Sequence, residues 1–329
     1  MIRNAARSIL LIWLFTILLQ ANDFSPEALI EAGHWKKARA ILELRIRADP
    51  QDAPAAYLLS QVKMAFGDLD GALGLAQRAV AIERNNANYH FQLAQVFGEM
   101  ADRASIFAAG GLAGKFKHEL DVALALDAKN LDALEARMQF CFQAPRLMGG
   151  DRNQAHAISK EIWRLNPVRG FLAQAELAKQ EKDAARVESL YLKALEADPK
   201  NCHAQISLAD FFNSPAQKKY ELAEKHAREA LKLDAGRVRG YSILARVFAL
   251  QQRWSELDAI LAAAEKTVPD DLAPFFEAGN ALLETGEDLA RAEACLRKYL
   301  TQEPEGEEPD AARARRLLEL ALKRQRRKA

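Results

Sequence analysis

The segment that comes nearest to a chemical motif is residues 110–116, which read GGLAGKF. A phosphate-binding loop needs GxxxxGK followed by Ser or Thr, because its backbone amides hold phosphates and its hydroxyl binds magnesium. Here the spacing is one residue short, and Phe116 stands where the hydroxyl would be. The segment therefore does not predict a nucleotide site.

The other reactive side chains form no catalytic or metal-binding pattern. The six histidines are scattered singly, and neither HExxH nor GxSxG occurs. Cys141, Cys202 and Cys295 are far apart, and each lies in a helical pattern, where cysteine usually behaves as a small core residue. We therefore expect no catalytic residue, no metal site and no cofactor, and a protein that is not an enzyme.

The composition narrows the class of protein further. The chain has 329 residues, with 46 Lys plus Arg against 45 Asp plus Glu, so its charge gives no reason to expect nucleic acid as a partner. Half of the residues are apolar, which is enough for a continuous core. Alanine and leucine dominate while β-branched residues are sparse, and this balance favours helix.

The first 22 residues predict an export signal. Arg3 and Arg7 precede an almost uninterrupted apolar run at residues 9–19, and the small residue Ala21 follows it. This order is typical of a secretory signal peptide. The run is shorter than the about 20 apolar residues that span a bilayer, but an uncleaved membrane anchor stays open. We expect an exported protein, periplasmic or anchored in the cell envelope through this segment alone.

The rest of the chain is periodic. Short breaks of the Asp-Pro type follow successive helical runs, from Asp49-Pro50 to Glu303-Pro304. The spacings between these breaks are 34, 44, 39, 32, 36, 34 and 35 residues. A period near 34 residues indicates a helix–turn–helix repeat.

Residues 238–271 show most clearly how one period is organised. Apolar residues with the i, i+3, i+4, i+7 spacing of one helix face form its first half, namely Tyr241, Leu244, Ala245 and Phe248. The second half follows a turn at Gln251-Gln252 and has a matching face of Trp254, Leu257, Leu261 and Ala264. Each period therefore predicts two helices that bury one face each.

This pattern resembles the tetratricopeptide repeat (TPR) family. The resemblance depends on a Leu-Ala pair followed by an aromatic residue in the first helix, which recurs as Leu93, Ala94 and Phe97, as Leu208, Ala209 and Phe212, and as Leu244, Ala245 and Phe248. It covers roughly residues 25–304 as about eight units, the first of them shortened. The resemblance implies an all-α, right-handed superhelical solenoid of helix–turn–helix repeats.

The third and fourth units are irregular, with extra residues near 98–111 and 145–150. Together they resemble the TPR subunit of tripartite (TRAP-type) periplasmic transporters, in which a lysine-containing helix and an AP-x-x-x-GGD/S segment occur. The matching stretches are residues 114–117 and 144–151. This resemblance implies a periplasmic solute-binding protein as the partner. The alternative is that the same residues form only a long turn that is shared by chance.

The candidate partner-binding residues are those of the first helices that lie off the packing face, because first helices line the concave side of such a solenoid. They are Asn88, Gln95, Arg169, His203, Asp210, Asn213, Arg239, Arg246 and Asn280. Arg239 and Arg246 lie two turns apart on one helix face, and Asn280 is on the next first helix. We expect these three to hold a partner carboxylate, with ordinary solvated surface as the alternative.

Residues 305–329 begin as an acidic linker and continue as a basic amphipathic helix. Its apolar face consists of Leu317, Leu318, Ala321 and Leu322. Since the last unit of a solenoid needs a polar cover, this pattern predicts a capping helix followed by a basic tail.

Together these features favour a non-catalytic adaptor or scaffold, exported to the cell envelope, that binds a peptide or protein in its concave groove. Two alternatives stay open. One is a TPR subunit associated with a periplasmic solute-binding transporter, and the other is an enzyme built on a helical-repeat frame. Formation of a homo-oligomer is also left open.

Overall fold

The computed structural model describes residues 25–306 and 309–328, and the predicted export segment at residues 1–22 lies outside these ranges. Regular structure in the described ranges is entirely helical, with seventeen α-helices and one short 3-10 turn. Among these helices, none is both long and apolar enough to cross a membrane.

The first sixteen helices form eight consecutive pairs, which we number as units 1 to 8. In chain order these are α1 (Pro26–Ala32) and α2 (Trp35–Ala48), α3 (Ala53–Ala65) and α4 (Leu69–Ile82), α5 (Ala87–Arg103) and α6 (Ile106–Leu126), α7 (Leu131–Gln143) and α8 (Arg152–Leu165), α9 (Pro167–Gln180) and α10 (Ala184–Ala197), α11 (Cys202–Asn213) and α12 (Tyr220–Leu233), α13 (Val238–Leu250) and α14 (Trp254–Thr267), and α15 (Ala273–Thr285) and α16 (Leu289–Tyr299). A last helix, α17 (Ala311–Lys328), follows unit 8. The extensive contacts between helices lie within a unit or between successive units, which confirms the predicted solenoid.

The boundaries of the helices follow from local side-chain chemistry. Asp52, Asp68 and Asp183 each accept a hydrogen bond from the backbone amide three residues later and so cap α3, α4 and α10. The turn inside unit 2 contains a left-handed residue, Gly67, with a φ of 73°. Gln252 adopts the same conformation in unit 7, with a φ of 57°.

The core consists of the predicted helix faces. Tyr241, Leu244, Ala245 and Phe248 of α13 are all buried, as are Leu257, Leu261 and Ala264 of α14. Small residues allow the paired helices to approach closely, and Ala72, Ala76 and Ala79 of α4 are completely covered or nearly so. Cys141 and Cys295 are buried in this core, and burial raises the pKa of the Cys295 thiol to about 12.

The extra residues of the third unit lengthen its helices. Residues 98–111 fall at the end of α5 and the start of α6, which have 17 and 21 residues. The motif-like residues 110–116 therefore lie inside α6, so they form no phosphate-binding loop.

The extra residues of the fourth unit form a tight turn whose backbone requires glycine. Residues 146–148 make the 3-10 turn, and Gly149 follows it with a φ of 98°. A Cβ atom on Gly150 would lie 1.8 Å from the carbonyl oxygen of Ala144. Backbone geometry thus accounts for the Gly-Gly pair without a binding partner.

Helix α17 covers unit 8. Its Ala314 and Ala321 are fully buried, and Leu317 and Leu318 pack against the same core. Near its end, Arg324 donates a hydrogen bond of 2.6 Å to the Leu283 carbonyl. The basic residues that we expected in a tail beyond the cap belong to the capping helix itself, which continues to residue 328.

The two ends of the array meet. Residues 34–39 of unit 1 contact Asp270, in the turn between α14 and α15, and Glu303 and Glu305, which follow α16. We call this contact the seam. Glu303 and Glu305, which lie where the predicted acidic linker begins, are consequently held against unit 1.

Candidate binding groove

The first helices of units 2 to 6 line one continuous groove. A cavity of about 310 Å³ lies along α3, α5 and α7, and a second of about 570 Å³ lies along α7, α9 and α11. The two cavities share Asp132, Glu135 and Gln139 on α7, so they are neighbouring parts of the same depression. An extended ligand could contact five units at once here.

Three glutamines stand at equivalent positions along the first cavity, and we call them the glutamine ladder: Gln61, Gln95 and Gln139. Each lies on the first helix of its unit, in units 2, 3 and 4. Gln95 and Gln139 make no hydrogen bond within the described part of the chain. Their amides therefore offer one acceptor and two donors each to a ligand.

Aromatic side chains and a further amide complete the first cavity. Tyr57 packs against Tyr89 with ring centroids 5.1 Å apart, and burial raises the pKa of the Tyr57 phenol. Phe91 also lines this cavity. Asn88 accepts a hydrogen bond of 2.9 Å from Asn130 through its oxygen, which leaves its NH₂ group for a ligand.

Arg169 links the two cavities. It donates to the carboxylates of Asp132 at 2.5 Å and Glu135 at 2.8 Å across neighbouring units. Desolvation disfavours the guanidinium charge, but these hydrogen bonds outweigh it and raise the pKa of Arg169. Arg169 therefore joins α9 to α7 in the wall of the groove. Its donors are already engaged in these hydrogen bonds.

His203 lies in the second cavity. The His203 side chain is exposed to solvent. Because it lines a concave surface, protein atoms also lie on several sides of it. Desolvation lowers the pKa of the His203 imidazole, and the positive charges of Arg237, Arg169 and Lys179 lower it further. The ring consequently favours its neutral form and can both donate and accept a hydrogen bond.

The expected carboxylate clamp is occupied by the chain itself. Arg239 donates to Asp210 at 2.7 Å and to Glu277 at 3.4 Å. For this side chain too, desolvation is outweighed by the pairing, and the pKa of Arg239 is raised. The acids that pair with Arg239 therefore come from the neighbouring first helices.

Arg246 and Asn280 are engaged in the same way. Arg246 forms a bidentate pair with Glu284 at 2.7 and 2.9 Å, and Asn280 donates to the same carboxylate at 3.3 Å. In this structure Arg239 and Arg246 therefore form ion pairs across units 6, 7 and 8, Asn280 hydrogen-bonds to Glu284, and their binding of a partner carboxylate stays a prediction.

Asn213 is placed differently from the expectation. It is the last residue of α11, next to the buried Phe212, and only 7% of it is exposed. Its Oδ1 atom has no hydrogen-bond donor within the described residues. A buried side chain at a helix end is not available on the groove surface.

Of the nine candidate residues, the structure brings Asn88, Gln95, Arg169 and His203 together in the two cavities. Gln61, Gln139 and Tyr57 were missed. The repeat spacing could have identified Gln61 and Gln139. Gln95 follows Gln61 by 34 residues and Gln139 follows Gln95 by 44 residues, which are the first two spacings between the Asp-Pro-type breaks.

No group of three or more His, Cys, Asp or Glu side chains in the described ranges is arranged to hold a metal ion. In the groove, the carboxylates of Asp132 and Glu135 are instead engaged with Arg169.

Comparison with known proteins matches part of the chain to a family model and shows the fold of the array. Residues 29–96 match the family model described as tetratricopeptide repeat. Yeast Tom70 has 19% identity and a TM-score of 0.58, over 92% of this chain and 62% of that one. A thermophilic TPR protein of Thermus thermophilus has 21% identity and a TM-score of 0.50, over 57% of this chain and 95% of that one.

No curated protein matches the sequence of this chain. Arrays of this kind are generally scaffolds for protein interaction and present extended concave surfaces. Residues 29–96 thus match the tetratricopeptide repeat model, and the described array has a tetratricopeptide-like superhelical fold.

Proposed function

We propose that this protein is a non-catalytic adaptor that binds an extended segment of a partner protein in the groove of units 2 to 6. The glutamine ladder is the observation that supports this function. Its amides resemble the peptide group in carrying both donor and acceptor, so they suit a ligand that presents its backbone.

The spacing of the ladder fits an extended chain. Packed helices lie about 8–10 Å apart, and an extended chain advances about 3.3 Å per residue. Neighbouring glutamines would therefore meet backbone groups about three residues apart, and the whole ladder would span about seven residues. Tyr57 and Phe91 lie beside it and offer apolar contact to the ligand side chains.

The test is selection of peptides from a displayed library of random dodecapeptides on the full chain. For a selected peptide, we expect the triple variant Gln61→Ala, Gln95→Ala and Gln139→Ala to lose at least about tenfold in affinity. The reason is that each hydrogen bond contributes about 0.5–1.5 kcal/mol. Isothermal titration calorimetry measures the change.

A matched control replaces three exposed glutamines outside the groove, namely Gln51, Gln77 and Gln143. This control variant should bind the peptide with unchanged affinity. If both triple variants bind it equally well, or if the library yields no binder, the groove is not the binding surface.

We further propose that the protein is exported to the cell envelope, on the strength of the signal pattern in residues 1–22. In a bacterial host, the chain should be recovered from the periplasm, and its mass shows whether the segment has been removed. Replacing Arg3 and Arg7 with glutamate should retain the chain in the cytoplasm. Cytoplasmic location of the unmodified chain would contradict the proposal.

A further inference from the structure

The seam joins residues that are more than 230 positions apart in the chain. The Lys36 ammonium donates to the backbone carbonyls of Asp270 at 2.7 Å and Glu303 at 2.6 Å. The Lys36 backbone amide donates to the Glu305 carboxylate at 2.8 Å. Since Lys36 lies in the first turn of α2, where an amide has no helical acceptor, Glu305 caps this helix from the other end of the protein.

Further ion pairs flank this centre. His34 lies 2.7 Å from the Asp270 carboxylate, and Lys37 lies 3.1 Å from it. Arg39 forms a two-pronged contact with Glu303, at 2.9 and 3.3 Å. The seam is therefore polar and is made of charge-assisted hydrogen bonds and ion pairs.

The seam has a mechanical consequence for the array. In a solenoid each unit contacts only its neighbours, so small rotations between units add up and the pitch is free to vary. A contact between unit 1 and the segments around unit 8 removes that freedom. While the seam is closed, the first helices of units 2 to 6 keep a set spacing, and with it the groove keeps its width.

Glu305 is the group in the seam that burial affects most. Only 1% of its side chain is exposed, and its Oε1 atom has no hydrogen-bond donor within the described chain, the Lys36 ammonium being 3.6 Å away. One Asp270 oxygen is also buried without a donor. A carboxylate covered in this way is costly to keep ionised.

We propose that the seam is a proton-controlled clasp, which is closed in mild acid and loosens as the pH rises to neutral, and which thereby regulates access to the groove. The regulatory part rests on the proposed function of the groove. The clasp itself depends only on the contacts between unit 1 and residues 270–305.

The direction follows from the titration of Glu305. Burial raises its pKa from 4.5 to about 7, the Lys36 amide and ammonium lower it, and the nearby Asp270 and Asp271 raise it. The closed form thus holds the proton more tightly than an open form with an ordinary carboxyl. The contribution of Glu305 to closure is therefore complete below pH 4.5 and weakens as the pH rises toward 7, by up to about tenfold per unit.

Two other carboxylates lie near Glu305, namely Asp271 and Asp270. Burial raises the pKa of Asp271, so its contribution has the same sign. Burial would also raise the pKa of Asp270, but His34 and Lys37 outweigh it and hold that pKa well below its usual range. Asp270 therefore stays ionised between pH 5 and 8.

The experiment is single-residue hydrogen exchange on the full chain at pH 5.5 and pH 8, corrected for the intrinsic exchange rates. The Lys36 amide reports on the seam because Glu305 is its acceptor. We expect its protection factor to fall at least about tenfold at pH 8. Small-angle scattering should show a larger radius of gyration at the same pH.

Two variants and a control make the result specific. Glu305→Gln keeps an acceptor oxygen but cannot ionise, so the Lys36 amide should stay protected at both pH values. Lys36→Met should open the seam at both, with the helical circular dichroism unchanged. Glu319→Gln, at an exposed position of α17, should leave the pH response of the unmodified chain intact.

Equal protection of the Lys36 amide at pH 5.5 and 8 in the unmodified chain would overturn the clasp, as would an unchanged pH response in Glu305→Gln. These readouts need no ligand, so they do not depend on the groove being a peptide site. Conversely, a peptide that binds equally well at both pH values, while the seam opens as described, would remove only the regulatory part.

Discussion

Replacing Gly170 with alanine should lower the free energy of unfolding by about 3 kcal/mol, near the upper end of the range for overpacked positions. Gly170 is on α9, where this helix crosses α8, and a Cβ atom there would lie 2.2 Å from the Cα atom of Trp163. A backbone atom cannot rotate out of the way, so the two helices must separate. Urea unfolding followed by circular dichroism measures the loss.

Gly74 provides the matched control for this prediction. It lies inside α4, and a Cβ atom there would meet nothing within 4 Å. Gly74→Ala should therefore stabilise the protein by about 0.5–1 kcal/mol, because alanine loses less conformational entropy in a helix. If the two substitutions had the same effect, close packing of α8 on α9 would not be the reason for Gly170.

Replacing Phe248 with alanine should lower the free energy of unfolding by about 3–5 kcal/mol. The Phe248 ring is 1% exposed on α13, and the guanidinium groups of Arg253 and Arg228 lie 4.5 and 5.5 Å from its centroid. Removing the ring leaves a cavity, and both guanidinium groups lose their cation–π contact. In a solenoid the damage should be concentrated in units 6 to 8.

Phe107 is the natural control, because it is 99% exposed at the start of α6. Phe107→Ala should change the stability by less than about 0.5 kcal/mol. Guanidinium unfolding gives the two energies, and hydrogen exchange shows which units lose protection. A loss in Phe248→Ala that is spread evenly over all eight units would contradict nearest-neighbour stabilisation.

The sequence by itself determined the helix pairs and their buried faces. The face formed by Tyr241, Leu244, Ala245 and Phe248 is buried as its spacing predicted. It could be predicted because the 3.6-residue turn of a helix and the caps and breaks at its ends are local properties. The glutamine ladder was also within reach, since the spacing of the repeats puts Gln61, Gln95 and Gln139 in register.

Only the tertiary structure decided which charges meet. Arg239 and Arg246 were correctly placed on first helices, but their acids come from neighbouring units, and no local pattern pairs Arg246 with Glu284. The burial of Asn213 likewise depends on how one unit stacks on the next.

Local sequence patterns do not predict the seam. Lys36 meets Glu305 because the rotation from each unit to the next accumulates over the array until its two ends come together. A small difference in each rotation would separate these residues by a large distance. Local side-chain chemistry specified the helices and their packing faces, whereas the sum of all the inter-unit angles decided that the chain closes on itself.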